Sequence, residues 1–174
     1  MEKNIKQLIG YNEIQKRLEE LAKQIDKDYN NEEITVICVL NGAVIFGTEL
    51  VLKMKTNMKL EFMKISSYNG TESSGNITKT LDISKENVKN KNILIVEDII
   101  DTGRSMKYLL ENLKEKEQLS IKVCALLNKP SRREIEVPID YIGFEIPNKF
   151  IVGYGFDDDD GLCRNLPYIG YKEI

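Results

Sequence analysis

The sequence predicts an α/β domain in which helices flank a central, twisted and mainly parallel sheet. Three observations predict it: short apolar segments rich in β-branched residues, amphipathic segments between them, and polar or glycine-containing segments directly after the strands. Strands that alternate with helices favour a parallel sheet, and ligands of such sheets bind at the carboxyl ends of the strands. A length of 174 residues suits one domain, 1–174, with a sizeable core.

The first half of the chain contains two predicted helices and two predicted strands. Residues 12–29 indicate an amphipathic helix, with Asn12 as a possible N-cap and four apolar residues at helical spacing, Ile14, Leu18, Leu21 and Ile25. Residues 34–40 are nearly all apolar, which is typical of a strand buried on both faces. A second helix is predicted over 43–55 and a strand over 60–65.

The second half of the chain continues this alternation. Strands are predicted over 93–96 and 121–127, and short strands and turns follow from Pro147 onward. The helix between the two strands has one apolar face, made of Met106, Leu109, Leu110 and Leu113. Two segments lie at the carboxyl ends of predicted strands and are therefore candidates for a binding site: 40–42 and 97–105.

Composition excludes several classes of protein. Lys and Arg (25) nearly balance Asp and Glu (28), so a net charge of −3 gives no general attraction to nucleic acid or to an anionic membrane. Cys38, Cys124 and Cys163 are widely spaced and there is no histidine, which predicts reduced thiols rather than a zinc site or a catalytic cysteine pair. The polar N-terminus and the lack of long apolar runs predict a cytoplasmic location.

The segment after the strand at 93–96 carries the clearest chemical signal. Glu97 and Asp98 are adjacent carboxylates, which repel one another and lose solvation unless cations or hydroxyl donors share their site. The turn at 102–105 offers backbone N–H groups, two hydroxyls and a helix N-terminus, all of which suit a phosphate. Hydroxyls at one end and a phosphate at the other describe a ribose 5-phosphate.

Three segments also have plain structural interpretations. Asp101 or Thr102 could simply cap a helix that begins near Gly103, with the acid pair exposed at the strand end. The aspartates at 158–160 form a charge run of the kind that is usually a solvated turn. Residues 66–76 are polar and glycine-punctuated, which fits either an exposed loop or a lid over a site.

The sequence VEDIIDTG at 96–103 resembles the phosphoribosyl-pyrophosphate binding motif of the type I phosphoribosyltransferases. Further segments match in the family's order and narrow the resemblance to the hypoxanthine-guanine phosphoribosyltransferases. They correspond to the pyrophosphate loop, the flexible catalytic loop, the strand end with the purine-reading lysine, the hood and the C-terminal signature, at 40–43, 66–68, 126–129, 144–155 and 164–170. The resemblance implies the type I phosphoribosyltransferase fold, with a catalytic loop over about 66–80 and a small hood, mainly 140–174 with the N-terminal segment.

The resemblance also implies a Mg²⁺-dependent enzyme of purine salvage. Such an enzyme transfers the 5-phosphoribosyl group of phosphoribosyl pyrophosphate to hypoxanthine or guanine, giving IMP or GMP and pyrophosphate. Asp101 would accept the proton of the purine nitrogen that attacks the anomeric carbon. The 5-phosphate would be bound by Asp101, Thr102, Gly103, Arg104 and Ser105.

Acidic residues have the implied roles of holding the ribose and the metal. Glu97 and Asp98 would hold the ribose hydroxyls directly or through Mg²⁺, and Asp157 would ligate a second Mg²⁺. Between the metal aspartate and Arg164 this sequence has one residue more than the family usually has, which leaves Asp158 as the alternative ligand.

Three residues are implied in purine recognition. Lys129 would donate to the six-position oxygen, which distinguishes hypoxanthine and guanine from adenine, although a lysine at a strand end also suits a surface role. Phe150 would stack on the base, although an aromatic residue in an apolar segment is more often part of the core. The backbone of Ile151 would help to read the edge of the base.

Pyrophosphate would be held by Arg164 and by the turn at Asn41 and Gly42. The family commonly has lysine where Asn41 stands, so backbone amides would have to replace that cation. We expect the Leu40-Asn41 peptide bond to be cis, as is frequent in the family. The lid would contribute two more substrate-binding residues, Ser67 and Tyr68.

Two other function classes compete with the enzyme. A non-catalytic nucleotide-sensing regulator on the same fold would bind RNA or DNA and should show a basic patch, but Arg132 and Arg133 form the only adjacent arginine pair. A plain sugar-phosphate binding protein would leave the lid and the purine-reading segment without a purpose. The resemblance further implies a homodimer or a homotetramer.

Overall fold

Strands and helices alternate along most of the chain. The computed structural model describes residues 5–67 and 77–172, and the side chains of 66–67 and 77–80 lie outside that description. The strands are β1 (Ile5–Ile9), β2 (Ile34–Leu40), β3 (Met58–Ser67), β4 (Ile77–Leu81), β5 (Asn92–Ile100), β6 (Ser120–Asn128), β7 (Tyr141–Glu145), β8 (Phe150–Val152) and β9 (Ile169–Lys172). The helices are α1 (Tyr11–Tyr29), α2 (Val44–Val51) and α3 (Arg104–Lys114).

The central sheet has the strand order β4-β3-β2-β5-β6-β7. The pairs from β3 to β7 are parallel, and only the edge strand β4 is antiparallel to its neighbour. This confirms the predicted α/β fold with a mainly parallel sheet. Because β5 lies between β2 and β6, the acids in β5 are flanked by the carboxyl ends of two neighbouring strands.

Helices cover both faces of this sheet, and the buried residues form two apolar clusters. Leu94 and Val96 of β5 belong to the cluster formed with α1 and α2. Ile93 and Ile95 belong to the cluster formed with α3. Side chains alternate along a strand, so this division explains why β5 is apolar at every position from 93 to 96. None of the helices within the described residues combines the length and the apolar character that a membrane crossing requires.

A second, antiparallel sheet has the strand order β1-β9-β8 and joins the two ends of the chain. Lys6 pairs with Tyr171 in this sheet, and Ile151 pairs with the same tyrosine from the other side. The sequence did not predict β1, a short strand in which Lys6 and Gln7 interrupt the apolar residues. The strand that pairs with β1 is β9, which lies near the other end of the chain.

Three local predictions are confirmed closely. The strand at 34–40 has the predicted bounds. The four apolar residues predicted on the first helix and the four on the third are all buried, Ile14, Leu18, Leu21, Ile25, Met106, Leu109, Leu110 and Leu113. The helical spacing of the apolar residues was enough to identify these faces, because each helix packs against the sheet along one side.

Apart from shifts of one or two residues at the ends of β3 and β6, three boundaries differ from the predictions. Helix α1 begins at Tyr11 with Gly10 at the N-cap, so Asn12 lies inside the first turn and is not the cap. Helix α2 ends at Val51 rather than at residue 55. The carboxylate of Asp26 accepts hydrogen bonds from the amides of Lys55 and Thr56, both at 2.9 Å, so those amides do not continue the helix.

The third difference concerns β5, which continues to Ile100 instead of ending at residue 96. Glu97 and Asp98 therefore lie within the strand and not in a segment that follows it. Pairing with β6 supports the extension, because Glu97 lies opposite Ala125 and Ile100 lies opposite Asn128.

Candidate active site

A cavity of about 710 Å³ opens at the carboxyl ends of β2 and β5. It is lined by predicted site residues from four segments of the chain: Asn41, Gly42, Glu97, Asp98, Asp101, Thr102, Gly103, Ser105, Asp157 and Arg164. Arg104, Lys129, Phe150 and Ile151 are not part of this lining. The parallel sheet brings the four segments together because its strand ends meet at one edge.

Two adjacent carboxylates, of which Glu97 is buried and Asp98 half-buried, line the cavity. Glu97 is only 8% exposed. Burial first, and then the negative charge of Asp98, raise the pKa of Glu97 well above its ordinary value. Burial also raises the pKa of Asp98, although hydrogen bonds shared with Glu97 and donated by the amide of Ile99 oppose the shift. The alternative of an exposed acid pair is therefore wrong, and this pair would be stabilised by a cation or by hydroxyl donors.

The absence of a side chain at Gly42 leaves room for the carboxylate of Asp98, which would have to move if this residue had a Cβ atom. A Cβ atom at Gly42 would lie 1.6 Å from Oδ2 of Asp98. Gly155 approaches from the other side with a φ of 103°, and a Cβ atom there would lie 2.2 Å from the carbonyl oxygen of Gly42. The predicted cis peptide bond at Leu40-Asn41 is confirmed. The turn after β2 is thus held between the acid pair and the segment after β8.

The turn at 102–105 leads directly into α3. Gly103 is the N-cap with a φ of 86°, and the carbonyl oxygen of Ile135 would lie 2.1 Å from a Cβ atom at this position. The N-cap makes no side-chain capping hydrogen bond, and the hydroxyl of Thr102 accepts only a long one, 3.4 Å, from the amide of Arg104. The free N–H groups at this helix N-terminus suit a phosphate better than a side-chain cap does.

Arg104 differs from the other residues of the turn. Its guanidinium forms an ion pair with Glu134 and is largely exposed. Only the backbone of Arg104 is therefore placed to take part in the turn, and its side chain is directed away from the cavity lining.

Asp101 has an unusual set of neighbours. Its Oδ2 atom lies 3.4 Å from Nη1 of Arg132 and 3.9 Å from Nζ of Lys129. Its Oδ1 atom is buried and has no hydrogen-bond partner among the described residues. A buried carboxylate oxygen without a donor is costly, so this oxygen is suited to accept a proton or a hydrogen bond from a ligand.

Lys129 is buried, at 6% exposed, so the interpretation as a surface lysine is wrong. Its Nζ atom donates to the carbonyl oxygen of Lys149 at 3.0 Å, just before β8. Burial lowers the pKa of Lys129, while the charge of Asp101 opposes that shift. The ammonium group is thereby held between Asp101 and the segment that carries Phe150.

Phe150 is 39% exposed, so the interpretation as a core aromatic is also wrong. Nζ of Lys172 lies 5.8 Å from the centre of its ring. Ile151 has a buried side chain and pairs with Tyr171 through its backbone. The alternation along β8 explains the difference, because successive side chains point to opposite faces of the sheet.

The aspartate run separates into three environments. Asp157 lines the cavity and accepts a hydrogen bond from Arg164, whose other terminal nitrogen donates to the carbonyl oxygen of Gly155. Asp158 is buried, accepts from the amides of Asp160 and Leu162 at 3.0 and 2.9 Å, and lies 3.4 Å from Nζ of Lys172. A solvated turn is therefore wrong for Asp158 and right for Asp159 and Asp160, which are exposed.

Several predicted features are not assembled or not described. No three acidic, histidine or cysteine side chains among the described residues are grouped as a ready-made metal site. The backbone of Ser67 ends β3, whereas its side chain, Tyr68 and most of the predicted loop at 66–80 lie outside the described residues. All three cysteines are free thiols, as predicted.

Sequence reasoning missed the part that Arg132, Arg133 and Ile135 have in this site. Arg132 reaches the carboxylate of Asp101, and Arg133 donates to the backbone of the same residue. The carbonyl group of Ile135 packs against Gly103. The only sequence signal was their proximity to Lys129, which does not indicate that the chain turns back toward the end of β5.

Comparisons with known proteins agree with this geometry. The family model described as a phosphoribosyl transferase domain matches residues 8–159. The chain is 42% identical over 172 residues to the hypoxanthine-guanine phosphoribosyltransferase of Streptococcus pneumoniae, covering 98% of this chain and 94% of that protein. The hypoxanthine phosphoribosyltransferase of Trypanosoma cruzi, solved as a mutant complexed with the product IMP, is 32% identical with a TM-score of 0.90, covering 99% of this chain and 92% of that one.

Some relatives are much longer than this chain. It is 41% identical over 166 residues to the bifunctional protein TilS/HprT of Listeria monocytogenes, and the match covers 95% of this chain. The chain spans only 25% of the length of that relative.

We expect Asp158→Ala to lower the free energy of unfolding by about 2–3 kcal/mol, because two amides and Lys172 lose a charged acceptor in a buried position. Urea denaturation followed by circular dichroism measures the change. Asp159→Ala is the matched control, since this carboxylate is exposed, and we expect it to stay within about 0.5 kcal/mol of the wild type. Equal losses in the two variants would contradict a structural role for Asp158.

We also expect Glu97→Gln to stabilise the ligand-free protein more at high pH than at low pH. The folded-state pKa of Glu97 lies above its unfolded value of about 4.5, so the folded state binds the proton more tightly. The wild type therefore loses stability as the pH rises above that value and through the raised pKa, and the amide removes this loss. Urea denaturation of the wild type and the variant at about pH 4 and about pH 8 measures the difference in their free energies of unfolding at each pH. The exposed Glu19, replaced in the same way, should show no such trend; a parallel trend there would contradict the prediction.

Proposed function

The chain belongs to the hypoxanthine-guanine phosphoribosyltransferases of the phosphoribosyltransferase family, and we propose that it transfers the 5-phosphoribosyl group of phosphoribosyl pyrophosphate to hypoxanthine or guanine. The products are IMP or GMP and pyrophosphate. One observation carries the proposal: the carboxylate of Asp101, whose Oδ1 atom has no partner among the described residues, lies beside both the turn at 102–105 and the ammonium group of Lys129. A base, a phosphate site and a donor for an oxopurine are thus adjacent.

The ribose 5-phosphate would span the cavity from the acid pair to the start of α3. Glu97 and Asp98 accept hydrogen bonds from the vicinal ring hydroxyls, which offset the repulsion between the two carboxylates. Thr102 and Ser105 contribute hydroxyls, and the helix N-terminus contributes N–H groups, to the 5-phosphate. Both groups line the same cavity, which supports a single ligand that connects them.

Asp101 is the residue proposed to act on the proton. As the purine nitrogen attacks the anomeric carbon, the bond from that carbon to the pyrophosphate oxygen breaks. The proton leaves the imidazole ring of the purine for the carboxylate of Asp101. Its Oδ1 atom is free to receive the proton, while Oδ2 faces Arg132 and Lys129.

Lys129 and Phe150 are proposed to recognise the base. The ammonium group of Lys129 can only donate, so it matches the six-position oxygen of hypoxanthine and guanine and repels the amino group of adenine. Its hydrogen bond to the carbonyl oxygen of Lys149 restrains the position of this ammonium group. The exposed ring of Phe150 offers a stacking surface, and the backbone of Ile151 lies next to it.

Arg164 and the turn at Asn41 and Gly42 are proposed to hold the leaving pyrophosphate. Arg164 forms an ion pair with Asp157 in the ligand-free protein, so its guanidinium must exchange that partner for pyrophosphate oxygens. Negative charge accumulates on pyrophosphate as the bond breaks, and a preorganised cation beside it lowers the barrier.

Enzymes of this family use Mg²⁺ together with phosphoribosyl pyrophosphate, and the acids of this site fit that ion. Glu97 and Asp98 are adjacent to the ribose position, and Asp157 lies beside Arg164. Mg²⁺ is commonly bound by one or two carboxylates and completed by substrate oxygens, so a ready-made cluster of three acids is not required. When bound, Mg²⁺ would neutralise charge on pyrophosphate. Asp157 rather than Asp158 is the proposed ligand, because Asp158 is engaged with the backbone of its own loop.

We also propose how the hood, the lid and the whole domain are arranged around this site. The sheet of β1, β9 and β8 forms the hood over the base, within a single domain 1–174, and the segment at 66–80 with Ser67 and Tyr68 forms the lid. A homodimer or homotetramer in the cytoplasm is the proposed state. The nucleotide-sensing regulator finds no support, because Arg132 and Arg133 contact the site itself and do not form a free basic patch.

Asp101→Asn should lower kcat by about 10²–10⁴-fold, because the amide cannot accept the proton. Binding of phosphoribosyl pyrophosphate, followed by calorimetry, should change little, since the amide preserves the shape of the turn. Asp160→Asn, at an exposed position of the aspartate run, serves as the control and should retain wild-type turnover. Unchanged turnover in Asp101→Asn would remove this residue from the role of base.

The wild type should convert hypoxanthine or guanine but not adenine, in a spectrophotometric assay of the four bases hypoxanthine, guanine, xanthine and adenine with phosphoribosyl pyrophosphate and Mg²⁺. Lys129→Ala should reduce kcat/KM for the oxopurines by about 10–100-fold and narrow their advantage over adenine, because the donor to the six-position oxygen is lost. A wild type that converts none of the bases would refute the proposed function. A variant with an unaltered preference would refute only the role of Lys129.

A further inference from the structure

Three successive carbonyl groups at the end of β5 are all bound by one segment of the chain, 129–135. The carbonyl oxygen of Ile100 accepts from the backbone amide of Lys129 at 3.0 Å. The carbonyl oxygen of Thr102 accepts from two backbone amides, also at 3.0 Å each, those of Glu134 and Ile135. The carbonyl oxygen between them, that of Asp101, is bound by a side chain, and this side chain is Arg133.

Arg133 reaches the backbone at the end of β5 and a side chain at the end of the neighbouring strand β6. Its Nε atom donates to the carbonyl oxygen of Asp101 at 3.0 Å. Its Nη2 atom donates to the carbonyl oxygen of Ile100 at 3.3 Å and to the side-chain oxygen of Asn128, which is buried at the end of β6. A planar guanidinium holds its donors in a rigid fork, so three acceptors on two strands are kept in one arrangement.

The contacts of Arg133 lie at and just beyond the point where the hydrogen-bonded pairing of β5 and β6 ends. The last paired residues of β5 and β6 are Ile100 and Asn128, so Asp101 has no partner in the ladder. Asp101 directly follows β5, and Lys129 directly follows β6. Because Arg133 binds the carbonyl group of Asp101 and the side chain beside Lys129, it links the backbones that carry both of these groups.

We propose that Arg133 is a positioning residue for catalysis. It holds the backbone of Asp101 against the end of β6 and thereby sets the placement of the Asp101 carboxylate relative to Lys129 and to the phosphate turn. This inference rests on the proposed function, since the groups that Arg133 positions are those assigned there to the proton, the base and the 5-phosphate. Arg133 itself does not touch the reacting atoms.

The chain contains a chemical match for Arg133 that lies away from the site. Nε of Arg17 donates to the carbonyl oxygen of Gly143 at 2.9 Å, and Nη2 donates to that of Ile142 at 2.6 Å, on β7. Arg17 thus makes the same kind of bridge between a guanidinium and two backbone carbonyl groups, but none of its acceptors belongs to a residue of the cavity. Arg17→Ala therefore reports what the loss of such a bridge does to stability alone.

The experiment compares Arg133→Ala with Arg17→Ala in steady-state kinetics and urea denaturation. We expect Arg133→Ala to lower kcat/KM by about 10–100-fold, because a misplacement of about 1 Å at a reacting group can cost that much. kcat should fall, and the KM for phosphoribosyl pyrophosphate should rise. Arg17→Ala should keep kcat/KM within about 2-fold, although it removes the same number of bridged carbonyl groups. Equal kinetics in the two variants would overturn the inference.

Arg133→Lys distinguishes the effect of the fixed guanidinium geometry from the effect of the positive charge. It also replaces Arg133→Ala if the alanine variant does not fold. A lysine keeps the positive charge but cannot span both strands with a fixed fork. We expect it to recover less than about a tenth of the lost kcat/KM. Full recovery by lysine would show that charge alone matters and would overturn the inference. A wild type inactive with every base would instead refute the proposed function. Amide hydrogen exchange at 101–105 then still tests whether Arg133 holds the backbone of Asp101. Exchange at these amides should be faster in Arg133→Ala than in the wild type and unchanged in Arg17→Ala.

Discussion

The enclosure of two adjacent carboxylates, one buried and one half-buried, inside a parallel strand is the constraint on which the rest of the site depends. Glu97 and Asp98 lie where β5 continues past residue 96, in the region where neighbouring strands end. Burial raises the pKa of each carboxyl group, and the negative charge of Asp98 adds to the shift of Glu97. Gly42 leaves the space that the carboxylate of Asp98 occupies, and Gly155 packs against the backbone of Gly42. A ligand with hydroxyl groups and a divalent cation would satisfy the pair, so stability is given up here in favour of binding.

The opposite end of the cavity is organised around carbonyl groups rather than carboxylates. The end of β5 directs three carbonyl oxygens toward the segment at 129–135, which binds all of them. With these acceptors satisfied on one side, the turn can present the N–H groups of the helix N-terminus on the other side, an arrangement that suits a phosphate. The same segment carries Lys129, whose ammonium group is fastened to the carbonyl oxygen of Lys149. The turn at 102–105, Lys129 and the start of β8, to which we assign the 5-phosphate, the purine and the hood, are therefore connected by a short series of hydrogen bonds.

The aspartate run illustrates how equal residues acquire different functions from their surroundings. Asp157 points into the cavity beside Arg164, Asp158 is buried under its own loop and beside Lys172, and Asp159 and Asp160 are exposed. The carboxylate of Asp158 accepts from the backbone amides of Asp160 and Leu162 in its own loop. Spacing along the chain left Asp157 and Asp158 as alternative metal ligands, and our proposal of Asp157 rests on its place in the cavity lining beside Arg164.

The sequence by itself determined the α/β architecture, the apolar faces of α1 and α3, the bounds of β2 and, through the motif at 96–103, the family to which the chain belongs. These features follow from the period of apolar residues and from a local motif, both of which act over a few neighbouring positions. Only the tertiary structure decided the extension of β5 through the acid pair, the burial of Asp158 and Lys129, the exposure of Phe150 and the contact of Arg133 with Asp101. Each of these depends on a partner from a distant part of the chain. A buried charge or an exposed ring is stable only if that partner, or a ligand, is present, and residue type alone does not specify it.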